Sequence, residues 1–237
     1  MQHQPAHQRD GDKPLDFIGE GLVLLLEGAL WWPAHKMLVV SDLHLGKGTS
    51  FAESGQLLPP YDAETTLAVV EALVSDLQPD VCLSLGDSFH DTSAEARLSE
   101  RAIGRLQGLT KSTDWIWIEG NHDPYPPTHI GGRAARDLQL GSLVFRHEPT
   151  GTKGEIAGHF HPVAKIRSAG SSVRLKCFVT DERALILPSI GAFTGGLNVC
   201  DNAFSDCLKS DRRVFALGQE RIYEIARENL VGDRQNR

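Results

Sequence analysis

Met37-Leu38-Val39-Val40-Ser41-Asp42-Leu43-His44 opens on four apolar residues and closes on a carboxylate and an imidazole. The same order returns down the chain. Val81–Leu85 leads into Gly86-Asp87, and Trp115–Ile118 leads, after Glu119, into Gly120-Asn121-His122-Asp123. Leu143–Arg146 leads into His147-Glu148, and Glu155–Ala157 into Gly158-His159-Phe160-His161. Each apolar run has the length of a buried strand. In open α/β sheets ligands bind in the crevice beyond the carboxyl ends of the strands, so one sheet could deliver all these clusters to one place.

The residue types agree on one chemistry. Imidazole and carboxylate together suit borderline divalent ions such as Mn, Fe and Zn, and no thiolate joins the set. Glycines at 86, 120 and 158 allow tight turns and close backbone approach. Taken singly, each cluster has an ordinary explanation. Asp-x-His arises by chance, Gly-Asp after a strand is commonly a turn, and Asn-His-Asp can cap a helix. His159 and His161 say more, because alternate residues of a strand share a face. Unrelated turns do not explain a whole series in which every member directly follows an apolar run.

Outward from these clusters, Leu22–Leu26 and Ala29–Trp32 predict two strands joined by a tight turn at Glu27–Gly28. Asp62 is expected to N-cap a helix running to about Leu77, with Leu67, Val70, Val74 and Leu77 at helical spacing. Ala94–Leu106 predicts a second helix ending near Gly108. Beyond Leu138, apolar runs at 143–146, 155–158, 173–179, 184–187, 214–217 and 221–226 predict strands with few helices. The first half reads βαβαβ and the second mostly β.

A chain of 237 residues suits one large domain with a core of its own. The expected organisation is a disordered polar tail over 1–14 and a single catalytic domain over 15–237. No apolar run reaches the ~18 residues of a membrane span, and Met1–Pro14 lacks the apolar centre of a signal peptide. The expected location is therefore cytoplasmic. Cys82, Cys177, Cys200 and Cys207 form no C-x-x-C pair, which argues against a zinc knuckle. The formal net charge of −7 argues against a broad electrostatic grip on nucleic acid.

As a set, Ser41-Asp42-Leu43-His44, Leu85-Gly86-Asp87, Glu119-Gly120-Asn121-His122-Asp123, Arg146-His147-Glu148 and Ala157-Gly158-His159-Phe160-His161 resemble the motif series of the calcineurin-like metallophosphoesterases. The resemblance implies an α/β fold, a four-layer α-β-β-α sandwich, with two divalent ions as cofactors: manganese first, with iron, zinc or magnesium as alternatives. It places Asp42, His44 and His161 on one ion, Asn121, His147 and His159 on the other, and Asp87 on both. It gives His122 the phosphate and the leaving oxygen, and Asp123 the task of orienting His122.

Ser41–Gly48, Leu85–Asp91 and Leu187–Val199, with Arg146–Pro149 and Gly158–Pro162, are similar more narrowly to the bacterial ligase-associated DNA damage response endonucleases, the PdeM-like group. That likeness implies a DNA phosphodiester substrate and a functional link to an ATP-dependent ligase, a helicase and an exonuclease. Two other functions stay open. One is a nucleotide or cyclic-nucleotide phosphodiesterase, which the negative charge favours. The other is a non-catalytic scaffold of the same fold, which the full ligand set and His122 disfavour.

Other residues stand beside the series. Lys47, His90 and Asp91 are candidates for substrate contact or for support of the ligands, against a solvated lysine and a helix-start pair. Arg146 reaches either a phosphate or solvent. Gly191–Gly196 is expected to line the mouth of the site. Lys165, Arg167, Arg174 and Lys176 form a basic cluster at alternating spacing, either a nucleic-acid track or an ordinary solvated face. Trp31 and Trp32 are expected to be packing residues.

Overall fold

A computed structural model describes residues 9–48, 50, 62–168 and 170–233. The first sheet contains β1 (Lys13–Phe17), β2 (Glu20–Leu24), β3 (Leu30–Trp32), β4 (Met37–Val40), β5 (Val81–Ser84), β6 (Asp114–Ile118) and β7 (Arg133–Ala135), in that spatial order. β1 to β4 are antiparallel neighbours, and β4 to β7 are parallel. The second sheet contains β8 (Leu138–Leu140), β9 (Leu143–Arg146), β10 (Glu155–Ala157), β11 (Val163–Ser168), β12 (Ser171–Thr180), β13 (Ala184–Ile186), β14 (Arg213–Leu217) and β15 (Ile222–Ile225). Here β9, β10 and β13 are parallel neighbours, and β11 folds back on β12.

The period of two along the strands builds the layers. Met37 and Val39 of β4, with Ile116 and Ile118 of β6, face the second sheet. They meet Phe145, Ile156, Phe178, Leu185 and Phe215 there. Leu38, Val40, Trp115 and Trp117 face the other way, onto α1 (Asp62–Leu77) and α2 (Glu100–Ser112). The parallel strands are covered on both faces, which is why their sequences are continuous apolar runs. Trp31 and Trp32 are both buried, one in each core, as expected of packing residues. The outer face of the second sheet, with Cys177, Val179, Ile186 and Val214, packs on Val199, Phe204 and Leu208. Among the described residues that layer includes a 3-10 turn, Asn202–Ser205, capped by Asp201.

Three expectations change. The clusters come from two sheets rather than one: β4, β5 and β6 carry three of them, and β9 and β10 carry the others. The expected tail does not extend to residue 14. Lys13 and Pro14 already pair with Leu24 and Val23, and the buried Asp12 carboxylate accepts from the Leu26 N–H at 2.9 Å. Residues 1–8 lie outside the described residues. The expected helix over 94–106 is two pieces. A 3-10 turn covers Ala94–Arg97, and α2 starts only after Ser99, whose hydroxyl accepts from the Ala102 N–H. It then runs past Gly108 to Ser112, because buried Leu106 and Leu109 outweigh the glycine penalty.

Candidate metal centre

The carboxyl ends of β4, β5, β6, β9 and β10 converge. The His44 N–H donates to the Asp87 carbonyl at 2.9 Å, tying the turn after β4 to the turn after β5. The His159 N–H donates to the Asp42 carboxylate at 3.1 Å, tying the second sheet to the first. Gly120 and Gly158 are required by packing. A Cβ on Gly120 would lie 2.3 Å from Asp87 Oδ1, and one on Gly158 would lie 2.5 Å from Asp42 Oδ2. Several metal-type residues hold left-handed backbone: Asp42 (φ 52°), His44 (44°), Asp87 (46°), His159 (71°) and His161 (46°). A non-glycine residue there costs roughly 1–2 kcal/mol.

Two donor sets result. Asp42, His44 and His161 have ligand atoms within 4.8 Å of one another, and so do Asp87, His147 and His159. His161 Nε2 lies 3.1 Å from Asp42 Oδ1 and 3.1 Å from His44 Nε2. Asn121 Oδ1 joins the second set, 2.9 Å from His147 Nε2 and 3.0 Å from His159 Nδ1. Asp87 Oδ2 sits between the sets, 3.8 Å from His44 Nε2 and 3.4 Å from His147 Nε2. The ring orientations fit metal binding. His147 Nδ1 lies 2.8 Å from the Leu85 carbonyl and His161 Nδ1 3.2 Å from the Gly195 carbonyl, so each Nδ1 carries the proton and each Nε2 is left as a donor to a cation.

Electrostatics point the same way. Burial alone would raise the Asp42 carboxyl, but His161, His147 and Ser41 outweigh it and hold it below its ordinary value. Burial is also outweighed at Asp87, where His147 is the main partner and the value falls to about 2. Burial opposes the His147 cation, yet Asp87 and Asp42 raise it to about 9. Burial prevails at His44, which falls to about 3. In the metal-free protein the histidinium of His147 balances part of the charge on Asp42 and Asp87, and a bound cation would take that place.

His122 lies at the edge of the centre, with Nε2 3.9 Å from Asp87 Oδ2. Its orientation differs from what the resemblance implies. His122 Nδ1 donates to the His90 carbonyl at 2.8 Å, and the two rings stack with centroids 5.6 Å apart. Asp123 does not reach His122. Its buried Oδ2 accepts instead from the N–H groups of Ser88 (2.9 Å) and Phe89 (3.1 Å), fixing the turn after Asp87. Burial raises the Asp123 carboxyl to about 7.

The remaining candidates separate clearly. Lys47 is half-buried within reach of the Asp87 charge, and burial lowers its pKa. Asp91 turns away, pairing with Arg97 at 2.5 Å and accepting from the Ser93 N–H, so it is the turn-start residue. Arg146 is not free for solvent. Its Nε lies 3.4 Å from the fully buried Glu155, and Nη1 donates to Thr150. Within Gly191–Gly196, the Gly191 N–H donates to the Asp42 carbonyl and the Gly195 carbonyl lies 3.2 Å from His161 Nδ1, so the segment touches the centre at both ends.

The basic cluster does not form an open track. Arg174 and Lys165 share Asp233, at 2.7 and 3.3 Å. Lys176 Nζ turns inward to the carbonyls of Ser189 (2.7 Å) and Gly191 (3.0 Å), and burial lowers it to about 8. Reading by alternation missed this, because strand periodicity fixes a face and not what covers it. Glu155 was missed for a similar reason. It lies in an apolar run, but its carboxylate accepts from the N–H groups of Thr150 and Gly151 and holds the segment after His147.

The model of the calcineurin-like phosphoesterases matches residues 35–220. No curated protein sequence gives a significant match. Among solved structures, the Pseudomonas putida nuclease MPE is similar at TM-score 0.71 and 28% identity, covering 90% of this chain and 100% of its own. The E. coli phosphoesterase Yfce reaches only TM-score 0.40 at 17% identity, over 80% of this chain and 98% of its own. The chain belongs to the calcineurin-like phosphoesterase family of metal-dependent phosphoric ester hydrolases.

Proposed function

We propose that the protein is a two-metal phosphodiesterase acting on DNA. Asp42, His44 and His161 would hold one ion, Asn121, His147 and His159 the other, and Asp87 is placed to serve either. The observation that carries this reading is Asp87 Oδ2 facing both donor sets, 3.8 Å from His44 Nε2 and 3.4 Å from His147 Nε2. A bound pair of ions, manganese in our reading, supplies positive charge to the phosphoryl oxygens and an acidified water for attack. The chain's own part is to place that pair and to handle the leaving group. His122 keeps Nδ1–H on the His90 carbonyl, so a proton on Nε2 is directed into the centre and passes to the leaving oxygen. Lys47 adds a cation beside Asp87 for a phosphate oxygen.

The likeness to a nuclease over nearly the whole chain supports the DNA reading. Placing the enzyme in the cytoplasm beside a repair ligase, helicase and exonuclease rests on the resemblance of its motif stretches alone. One observation favours the nucleotide phosphodiesterase instead. Of the four cations of the basic strand pair, Lys165 and Arg174 share the Asp233 carboxylate and Lys176 is turned inward, which leaves Arg167 exposed and shortens any cationic track.

The deciding experiment measures turnover of bis-p-nitrophenyl phosphate and labelled single-stranded DNA with Mn, Mg and Zn, comparing wild type with Asp87→Asn. Turnover of both, lost in the variant along with one or both bound ions, is the expected result. Turnover of the small ester alone would move the substrate to nucleotides. Bound metal with no turnover of either would leave the non-catalytic scaffold.

A further inference from the structure

A cleft of about 380 Å³ opens beside the second donor set, lined by Asn121, His147, Pro124, Arg136, Arg146 and Glu148 among others. Its floor is therefore two of the groups assigned above to a metal. Its far wall is the connection between β7 and β8, which carries Arg136. We propose that this cleft is a nucleotide subsite: it holds the nucleotide next to the hydrolysed phosphodiester, with the Arg136 guanidinium on that nucleotide's outer phosphate. The proposal rests on the phosphodiesterase reading and names the part of the substrate that this side of the site selects.

Size is the first argument. Small-ligand pockets span roughly 300–1,000 Å³, and this cleft sits near the lower end, with room for one nucleotide and not for a duplex. The state of the two arginines is the second. Arg146 is already engaged by Glu155 and Thr150, so it forms a fixed wall. Arg136 is exposed, and its side chain makes no hydrogen bond or ion pair with any described residue. A guanidinium carries its donors in a planar fork that matches two phosphate oxygens, and all of them are available here.

Charge is the third argument. Glu119, Asp137 and Glu148 share the cleft with the arginines. A site for bare polyanion would not carry these carboxylates. They suit a base edge, whose amino groups donate to carboxylate oxygens, placed between the scissile phosphate and the phosphate on Arg136. The cleft thus favours a phosphodiester bearing a base and a second phosphate over a simple ester.

The test compares bis-p-nitrophenyl phosphate, which has neither a base nor a second phosphate, with trideoxycytidylate phosphorylated at both ends, whose bases carry an amino group. In Arg136→Ala, the ratio of kcat/KM for the trinucleotide to that for the simple ester is expected to fall about tenfold. The slope of log kcat/KM for the trinucleotide against log salt becomes shallower by about 0.7, the loss of one phosphate contact on a single strand. Arg136→Lys recovers part of the ratio. Arg133→Ala, on the same segment but paired with Asp114, keeps the wild-type ratio. In the His122→Ala background, which keeps both donor sets, anisotropy of the labelled trinucleotide reads binding with little turnover, and Arg136→Ala weakens it about tenfold. An unchanged ratio and salt slope with an active wild type would overturn the subsite alone. A wild type inactive on both substrates would overturn the phosphodiesterase reading and the subsite with it.

Discussion

Asp123→Asn separates two accounts of the centre. The family resemblance makes Asp123 the residue that orients His122. The structure gives that task to the His90 carbonyl and puts Asp123 Oδ2 on the N–H groups of Ser88 and Phe89. An asparagine carbonyl can accept both of those bonds and carries no charge for burial to disfavour, so Asn is expected to keep kcat within about threefold and to leave Tm at or above that of wild type at neutral pH. Asp123→Ala removes the acceptor and leaves two buried N–H groups without a partner. At ~1–3 kcal/mol each, that is about 4 kcal/mol, a Tm lower by roughly 8–16 °C for a chain of this size.

The assay is Mn-dependent turnover of bis-p-nitrophenyl phosphate with thermal melting of each variant, and His122→Ala as the reference. Removing a positioned acid–base group lowers rates by ~10²–10⁴, so His122→Ala is expected in that range with Tm close to wild type. A fall of about a hundredfold or more in Asp123→Asn, with Tm unchanged and a shifted pH–rate profile, would mean that Asp123 touches His122 in the working enzyme. The hydrogen-bond assignment above would then be wrong.

Other consequences can be measured alongside. Removing metal with a chelator should lower Tm, and adding Mn at ~100 times its Kd should restore about 2.7 kcal/mol per site. At His44, φ is 44°, so in metal-free protein His44→Gly is expected to be more stable than His44→Ala by about 1 kcal/mol, against the usual order; an Ala variant at least as stable would refute the strained backbone. Burial would raise the Asp181 carboxyl, but the N–H groups of Lys209, Ala184 and Arg183 hold it below 3.8. A depressed folded pKa contributes stability that is complete above the unfolded value and is lost as pH falls through the folded one. The urea midpoint gap between wild type and Asp181→Ala should therefore be full at pH 7 and narrow below about pH 4.

Much of this centre was legible because its chemistry is local. Asp42, Asp87, Asn121, His147 and His159 each directly follow a short apolar run or its next one or two residues, and a buried parallel strand leaves little ambiguity about where it ends. The parts that were not legible depend on what another segment does. Alternation along β12 places Arg174 and Lys176 on one face, but it does not tell that Asp233 neutralises the first and that the Ser189 and Gly191 carbonyls draw in the second. The reach of α2 past Gly108 and the strand at 13–17 depend likewise on packing partners far along the chain.

The backbone of the centre explains why its motif has the residues it has. Asp42, His44, Asp87, His159 and His161 all sit where glycine would be the ordinary choice. At ~1–2 kcal/mol each, the three histidines together cost about 3–6 kcal/mol, while the two aspartates adopt such angles more readily. Glycine would remove the cost and with it the donor atoms. The strain is therefore carried at the ligands, and glycine appears one step away, at 86, 120 and 158, where a Cβ would strike His147, Asp87 or Asp42. Bonds between the turns, such as His44 N–H to the Asp87 carbonyl and Ile190 N–H to the Ser41 carbonyl, hold these angles. Backbone held this way before any ion arrives gives up little freedom on binding, and the donor atoms of both sheets already face the same small volume.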